Sequence, residues 1–269
     1  MGDVLIPTLL FLVMVGFHVL RSREVYSEAT FELGAASTLG TREVQQDYFG
    51  TKKIHSTLLM LLADGIGENG DSAAKLAVDT FRDLFNDNGA TEKPQYFFKR
   101  AANAANKKIV NTLEERQGET SIAAVIVEDS RFFYMLVGNS RIAVFRDGDL
   151  IPVSQGQTVD VLARHRYDEG KISKRETLAL LSEHRRYNVL GQDSFQEIEI
   201  FDKPIELQRN DLVVLMSEGV FNTLNWTEIE QALENKTSAK DAASDVISCV
   251  NRSPRVDKDN ASILVYRQE

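Results

Sequence analysis

The chain contains a single cysteine, Cys249, which excludes an intramolecular disulfide framework and a Cys-rich zinc site. Cys249 falls in the pattern SDVISCV, on the apolar face of an expected helix. A basic excess is also missing: 31 Lys and Arg stand against 40 Asp and Glu, a formal charge of −9. A nucleic-acid binder normally carries a basic face, so no nucleic-acid partner is expected. The acidic balance serves solubility and also suits a site that gathers cations. No internal repeat and no low-complexity tract occurs. None of the histidines stands with the cysteine or another histidine at ligand spacing, which removes a nitrogen or sulfur zinc site. His55, His165 and His184 match no motif and are expected to be structural or exposed. The opening Met1-Gly2-Asp3 carries no Lys or Arg, and no small-x-small cleavage site comes after it, against a cleaved signal peptide. Ile6 stands where N-myristoylation requires Ser or Thr.

Near the N-terminus there is instead an uncharged run, Val4 to Leu20, of 17 residues with one late His18. That is the lower limit for a membrane-spanning helix, and Pro7 near its start is tolerable. A buried core helix is the alternative, but the run is apolar all round rather than on one face. Arg21 and Arg23 follow the run and Asp3 precedes it. The positive-inside rule then places the C-terminal domain in the cytoplasm. The expected organisation is an anchor over residues 1–23, a linker over 24–30 and one domain over 31–269.

Within that domain, the first strands are expected at Thr30 to Leu39, Tyr48 to Gly50 and Thr57 to Ala63. Ala73, Leu76, Ala77, Phe81, Leu84 and Phe85 predict a helix from Ser72 to Phe85, capped by Asp71 or Ser72. Phe97, Ala101, Ala105, Ile109 and Leu113 predict a longer one from Lys93 to Glu115, with Pro94 in its first turn. Both helices are one-faced and should cover one apolar surface. Strands follow at Thr120 to Val127, Arg131 to Val137, Arg141 to Arg146 and Leu150 to Val153, with a hairpin signal at Asp147-Gly148-Asp149. Residues joined by such tight turns are expected to pair antiparallel. A polar insertion, residues 155–188, interrupts the strands and has helical stretches at Thr158 to Asp168 and Lys174 to Leu181. Strands then recur at Glu197 to Phe201 and Asp211 to Met216. Helices follow at Trp226 to Leu233, capped by Asn225, and at Ser238 to Val250, before a last strand from Asn260 to Arg267. The order predicts an α+β layered domain with a mainly antiparallel sheet.

The stretch with the most chemistry in it is LLMLLADGIGENG, residues 58–70. A buried strand delivers one carboxylate, Asp64, to a backbone that bends at Gly65, Gly67 and Gly70. LVVLMSEG, residues 212–219, repeats the arrangement with Glu218 and Gly219. With Asp47 and Asp259, four acids stand at strand ends or in adjacent loops. Converging acids do not all stay ionised without a cation between them. Carboxylates with backbone carbonyls and water suit hard divalent cations, Mn²⁺ or Mg²⁺.

The motifs around these acids resemble those of the metal-dependent type 2C protein phosphatases (the PPM-like Ser/Thr phosphatases). Gly40-Thr-Arg-Glu-Val-Gln-Gln-Asp47 resembles the first motif, and Ala63-Asp-Gly-Ile-Gly67 the Asp-Gly-x-Gly motif. Glu119-Thr-Ser121 is similar to the Gly-Thr-Thr strand start, and Val137-Gly-Asn-Ser-Arg141 to Gly-Asp-Ser-Arg. Val189-Leu-Gly191, Ser217-Glu-Gly219 and Asp259-Asn260 come after these in the family's order, so the resemblance covers residues 31 to 267. It implies a four-layer sandwich of two antiparallel sheets, covered outside by helices. It also implies hydrolysis of phosphoserine and phosphothreonine in protein substrates by water activated between two cations. Asp64 would bridge the cations, and the Gly65 carbonyl, Asp47, Glu218 and Asp259 would complete the set. Arg42 would hold the phosphate oxygens with its planar fork.

The chain departs from the family pattern at a few points. Glu218 replaces the usual Asp and sets its head about 1.5 Å further out. Asn139 replaces an Asp associated with a third, weaker metal, and Gln45, Gln46 and Ile66 are further departures. Glu218 and Asn139 leave a second reading open, a weak or inactive pseudophosphatase serving as a regulatory module. The insertion 155–188 has no readable specificity code.

Overall fold

The computed structural model describes residues 31–86, 93–113, 117–193, 195, 197–201 and 203–269, all within the unit Phe31–Glu269. Eleven strands and seven helices are defined among these residues. Strands β1 (Phe31–Thr38), β2 (Asp47–Ile54) and β3 (Thr57–Ile66) come first, followed by helices α1 (Gly70–Leu84) and α2 (Pro94–Leu113). Four strands come next, β4 (Glu119–Glu128), β5 (Arg131–Val137), β6 (Arg141–Arg146) and β7 (Asp149–Pro152). The insertion carries α3 (Val159–Asp168) and α4 (Lys174–Leu180). The short strands β8 (Glu199–Ile200) and β9 (Ile205–Glu206) precede β10 (Leu212–Met216). Helices α5 (Glu218–Thr223), α6 (Trp226–Leu233) and α7 (Ala239–Arg252) lead into β11 (Ala261–Gln268).

The strands form two sheets. One runs β1-β11-β10-β6-β7, and the other β2-β3-β4-β5-β8, with β9 also paired to β5. All of these pairs are antiparallel. The layering follows from the two-residue period of a strand. In β3, Leu59, Leu61 and Ala63 join α1 and α2 in one apolar cluster. Their neighbours Leu58, Met60 and Leu62 point the other way and meet Val213, Leu215 and Leu264 of the facing sheet. β10 behaves likewise: Leu212, Val214 and Met216 meet α6 and α7 on the outside. An unbroken apolar run is therefore what a strand covered on both faces requires. Each fully buried Leu contributes about 1.5–3 kcal/mol. The result is an α-β-β-α sandwich, as the resemblance implied.

Several sequence expectations are refined. The strand expected at Tyr48 to Gly50 runs from Asp47 to Ile54, and β3 continues past Ala63 to Ile66. Asp64 thus lies within a paired strand rather than beyond it. The N-cap of α1 is Asn69, without a side-chain cap bond, rather than Asp71 or Ser72. Asp147 and Gly148 take positive φ values of 52° and 93°, and Arg146 pairs with Asp149 in the expected hairpin. The tight turn between β5 and β6 makes no hairpin, because these strands belong to different sheets. Gly138 turns that corner with φ 94°, and a Cβ there would strike the Ser121 side chain. The capping box of Asn225 with Glu228 is present, and Ser238 caps α7. The short elements β9 and α5 were not legible in the sequence. Residues 4–20, the expected anchor, lie outside the described residues. Among the described residues no helix is long and apolar enough to cross a membrane.

Candidate metal and phosphate site

The alternation that buries Leu58, Met60 and Leu62 between the sheets carries Asp64 into the same gap at its open end. Asp47 stands directly across from it in the β2–β3 register, so both carboxylates share one face. The facing sheet contributes Ser217, which continues the parity of Val213 and Leu215. Its Oγ donates to Asp47 Oδ2 at 2.8 Å and accepts from Ser262 N at 2.9 Å, joining the two sheets. The Glu218 backbone N–H donates to Asp64 Oδ2 at 3.0 Å. The acids from the two sheets therefore converge where β3 and β10 end.

Both buried acids are electrostatically frustrated. Burial pushes the Asp64 carboxyl well above the usual range; repulsion from Asp47 adds to this, while Arg186 and the Glu218 N–H oppose it. Asp47 is raised mainly by burial, with Asp259 adding repulsion and the Ser217 hydroxyl opposing. Asp259 reaches the same end of the sandwich but faces Arg42: Arg42 Nε donates to Asp259 Oδ1 at 3.1 Å. Asn260 N–H also donates to that oxygen, at 2.9 Å. Arg42 and Asp259 are both about half exposed.

The loop after Asp64 is shaped by its glycines and by Gln46. A Cβ at Gly65 would strike the Gly70 carbonyl and lie 2.6 Å from Gln46 O. Gln46 Nε2 donates to Gly67 O at 2.7 Å, and Gly67 takes φ 83°. Gln46 thus braces the motif loop. Asn139 is buried, with its amide oxygen accepting from Ser121 Oγ at 3.2 Å.

Arg186 was not anticipated from the sequence. It stands at the end of the insertion, and its Nη1 lies 3.3 Å from Glu218 Oε2 and 3.8 Å from Asp64 Oδ1. In the sequence it is marked only by the adjacent basic pair Arg185-Arg186, which names no partner. His184, by contrast, is exposed, with Nδ1 3.5 Å from Asp160. Hollows of about 530 and 520 Å³ lie near the insertion and beside the Ile66–Gly67 loop. Neither is lined by Asp47, Asp64, Glu218 or Asp259. The acids stand at the end of the sandwich, apart from these two hollows.

Among the described residues, no three Asp, Glu, His or Cys side chains are arranged to hold one metal ion as they stand. Ser217, Arg42 and Arg186 each draw a carboxylate toward a different partner. The donor chemistry nonetheless fits a hard divalent cation. It is made of oxygen alone, holds two buried carboxylates that disfavour each other's ionised form, and already attracts one positive group, the Arg186 guanidinium.

The sequence profile of the family described as Protein phosphatase 2C matches residues 36–258. The chain belongs to this family. It is accordingly an enzyme of the protein serine/threonine phosphatase class. The protein phosphatase 2C match takes in Arg42, Asp47, Asp64 and Glu218 and ends one residue before Asp259. The chain is 26% identical to a "Serine/threonine phosphatase stp" of Listeria welshimeri over 223 residues, covering 78% of this chain and 84% of that protein. The serine/threonine phosphatase of S. agalactiae superposes with a TM-score of 0.77 at 20% identity, over 89% of this chain and 100% of the other. The catalytic domain of PstP, solved with two manganese ions, superposes with a TM-score of 0.66 at 22% identity, over 88% and 99%. These superpositions establish the shared sandwich.

Proposed function

We propose that the chain removes phosphate from phosphoserine and phosphothreonine of protein substrates, using two divalent cations, Mn²⁺ or Mg²⁺. The observation that carries this reading is the meeting of Asp47 and Asp64 with Ser217 and Glu218, which follow β10 of the facing sheet. Asp64, Asp47, Glu218, Asp259 and the Gly65 carbonyl would supply the oxygens that hold the cations. Bound there, the cations lower the pKa of water and screen the phosphate charge. The reaction breaks the bond between phosphorus and the serine or threonine oxygen. Water supplies the replacing oxygen, and the products are phosphate and a free hydroxyl. Arg42 offers its fork to the phosphate oxygens, and Asp259 pre-aligns that fork. Ser217 and the Glu218 N–H keep the carboxylates oriented.

The weak or inactive alternative raised by Glu218 and Asn139 is not favoured, since position 218 retains a carboxylate, which faces the same Arg186 guanidinium as Asp64. The deciding assay follows phosphopeptide hydrolysis with Mn²⁺, Mg²⁺ or chelator. Turnover that needs metal and disappears in Asp64→Asn supports the reading; metal-independent turnover refutes it.

The reading also includes a membrane anchor at residues 4–20 with the phosphatase domain in the cytoplasm. It is supported by the uncharged run followed by Arg21 and Arg23. Release of the chain by alkaline carbonate would exclude it.

A further inference from the structure

Arg186 is the one cation with its charge directed at both Asp64 and Glu218 among the described ion pairs. Its backbone is not a loose tail. Arg186 forms an isolated antiparallel bridge with Thr158. On either side, Val159 N–H donates to Arg185 O at 2.9 Å and Tyr187 N–H donates to Gln157 O at 3.1 Å. Gln157 is itself locked to the corner between the sheets: its N–H donates to Gly138 O at 2.7 Å, and its Oε1 accepts from Gly138 N at 2.9 Å. The insertion's base therefore places a guanidinium over the acid cluster, with the side chain only 26% exposed.

The atoms involved are informative. Asp64 Oδ2 already accepts from the Glu218 N–H, and Glu218 Oε1 accepts from Asn222 Nδ2 at 2.9 Å. The two oxygens left, Asp64 Oδ1 and Glu218 Oε2, are the ones facing Arg186. An Asp at 218 would hold its head about 1.5 Å shorter, so the longer glutamate helps this reach. A divalent cation on the same oxygens would lie within a few ångströms of the guanidinium and repel it.

We infer that Arg186 is a tethered, displaceable cation of the acid cluster: its seating on Asp64 and Glu218 and divalent metal binding there exclude each other. The inference rests on the metal-dependent reading above. Metal loading is then coupled to release of the Arg186 side chain. The apparent metal affinity is reduced by the fraction of molecules in which Arg186 is seated. If nine in ten are seated, freeing the site tightens binding about tenfold.

The test is a Mn²⁺ titration of the full chain, read by the electron paramagnetic resonance signal of free Mn²⁺. Arg186→Gln, which keeps length and polarity without charge, should bind Mn²⁺ at least about tenfold more tightly than the wild type. A second measurement needs no substitution: the Arg186 Nε–Hε nuclear magnetic resonance signal of the wild type should move toward that of free arginine when Mg²⁺ is added. Equal or weaker Mn²⁺ binding by Arg186→Gln overturns the inference, as does an Arg186 signal unmoved by saturating Mg²⁺. If Arg186→Gln binds as the wild type does while Asp64→Asn binds nothing, the inference falls and the metal reading stands. If neither wild type nor Arg186→Gln binds Mn²⁺, both fall.

Discussion

Asp47 and Asp64 face each other across β2 and β3 as partners in register, both buried, with Ser217 and Glu218, between β10 of the opposite sheet and α5, closing over them. Two carboxylates in that position disfavour each other's ionisation, and the strain is a measurable property of the metal-free protein. The Asp64 carboxyl is pushed up to about 8, first by burial and then by Asp47. A raised acid contributes stability that is complete below its unfolded value, about 4, and is lost as pH rises through the folded value. In chelator, the wild type should therefore lose stability relative to Asp64→Asn between pH 5 and 8. A relative gain of at least about 1 kcal/mol for the variant, roughly 2–4 °C in melting temperature, is expected at the upper end. Thermal melts of both proteins across that range check it; parallel curves would contradict the assignment.

Ser217 is the hydrogen-bonded stitch between the sheets at the site. Ser217→Ala removes the 2.8 Å bond to Asp47 and the acceptor for Ser262 N–H. A hydrogen bond to a charged or partly charged acid contributes about 1.5–3 kcal/mol, so the variant should be destabilised by that order. Denaturant unfolding measures it, and Mn²⁺ affinity should fall in parallel because Asp47 loses its orienting partner.

Gly65 has no room for a side chain. Gly65→Ala would force a methyl against the Gly70 carbonyl and Gln46 O, both backbone atoms. Overpacking of this kind costs about 1–3 kcal/mol. The displaced loop also misplaces Asp64, so phosphatase turnover should fall about 100-fold even where the protein remains folded. Comparing kcat with the circular dichroism spectrum separates the two effects.

In the proposed function Arg42 meets the substrate, and its 48% exposed side chain, partnered by Asp257 and Asp259, carries little of the fold. Arg42→Ala should lower kcat/KM for a phosphopeptide by roughly 10–100-fold, with unfolding stability nearly unchanged. Arg42→Lys should recover only part of the loss, because an ammonium does not reproduce the paired donors of the fork. Steady-state kinetics on both variants decide it.

Leu61→Ala provides the contrast. Leu61 is fully buried against the outer helices, in a cluster that contains none of the site acids. The truncation should cost about 2–5 kcal/mol, leaving kcat/KM close to wild type well below the melting temperature. Denaturant unfolding beside steady-state kinetics checks both halves.

The local pattern of residues determined much of this architecture. Continuous apolar runs such as residues 58–63 and 212–216 announced strands covered on both faces, because a period-two element exposed on one side would have alternated. Asp147-Gly148 specified a hairpin, and Asn225 with Glu228 specified a helix start, since each depends on backbone geometry only a few residues wide. The motif acids were legible because each stands close to a strand end: Asp47 opens β2, Asp64 lies two residues before the end of β3, Glu218 follows β10 and Asp259 precedes β11. What the sequence by itself left undecided was which strands share a sheet. β5 and β6 are joined by three residues yet lie in opposite layers, because Gly138 packs on Ser121 and turns the chain across the gap. Only that layering brings Ser217 to Asp47 and the Glu218 N–H to Asp64. Arg186 was out of reach for the same physical reason. A guanidinium in a polar insertion finds its carboxylates through space, and no local spacing or periodicity encodes such a partner.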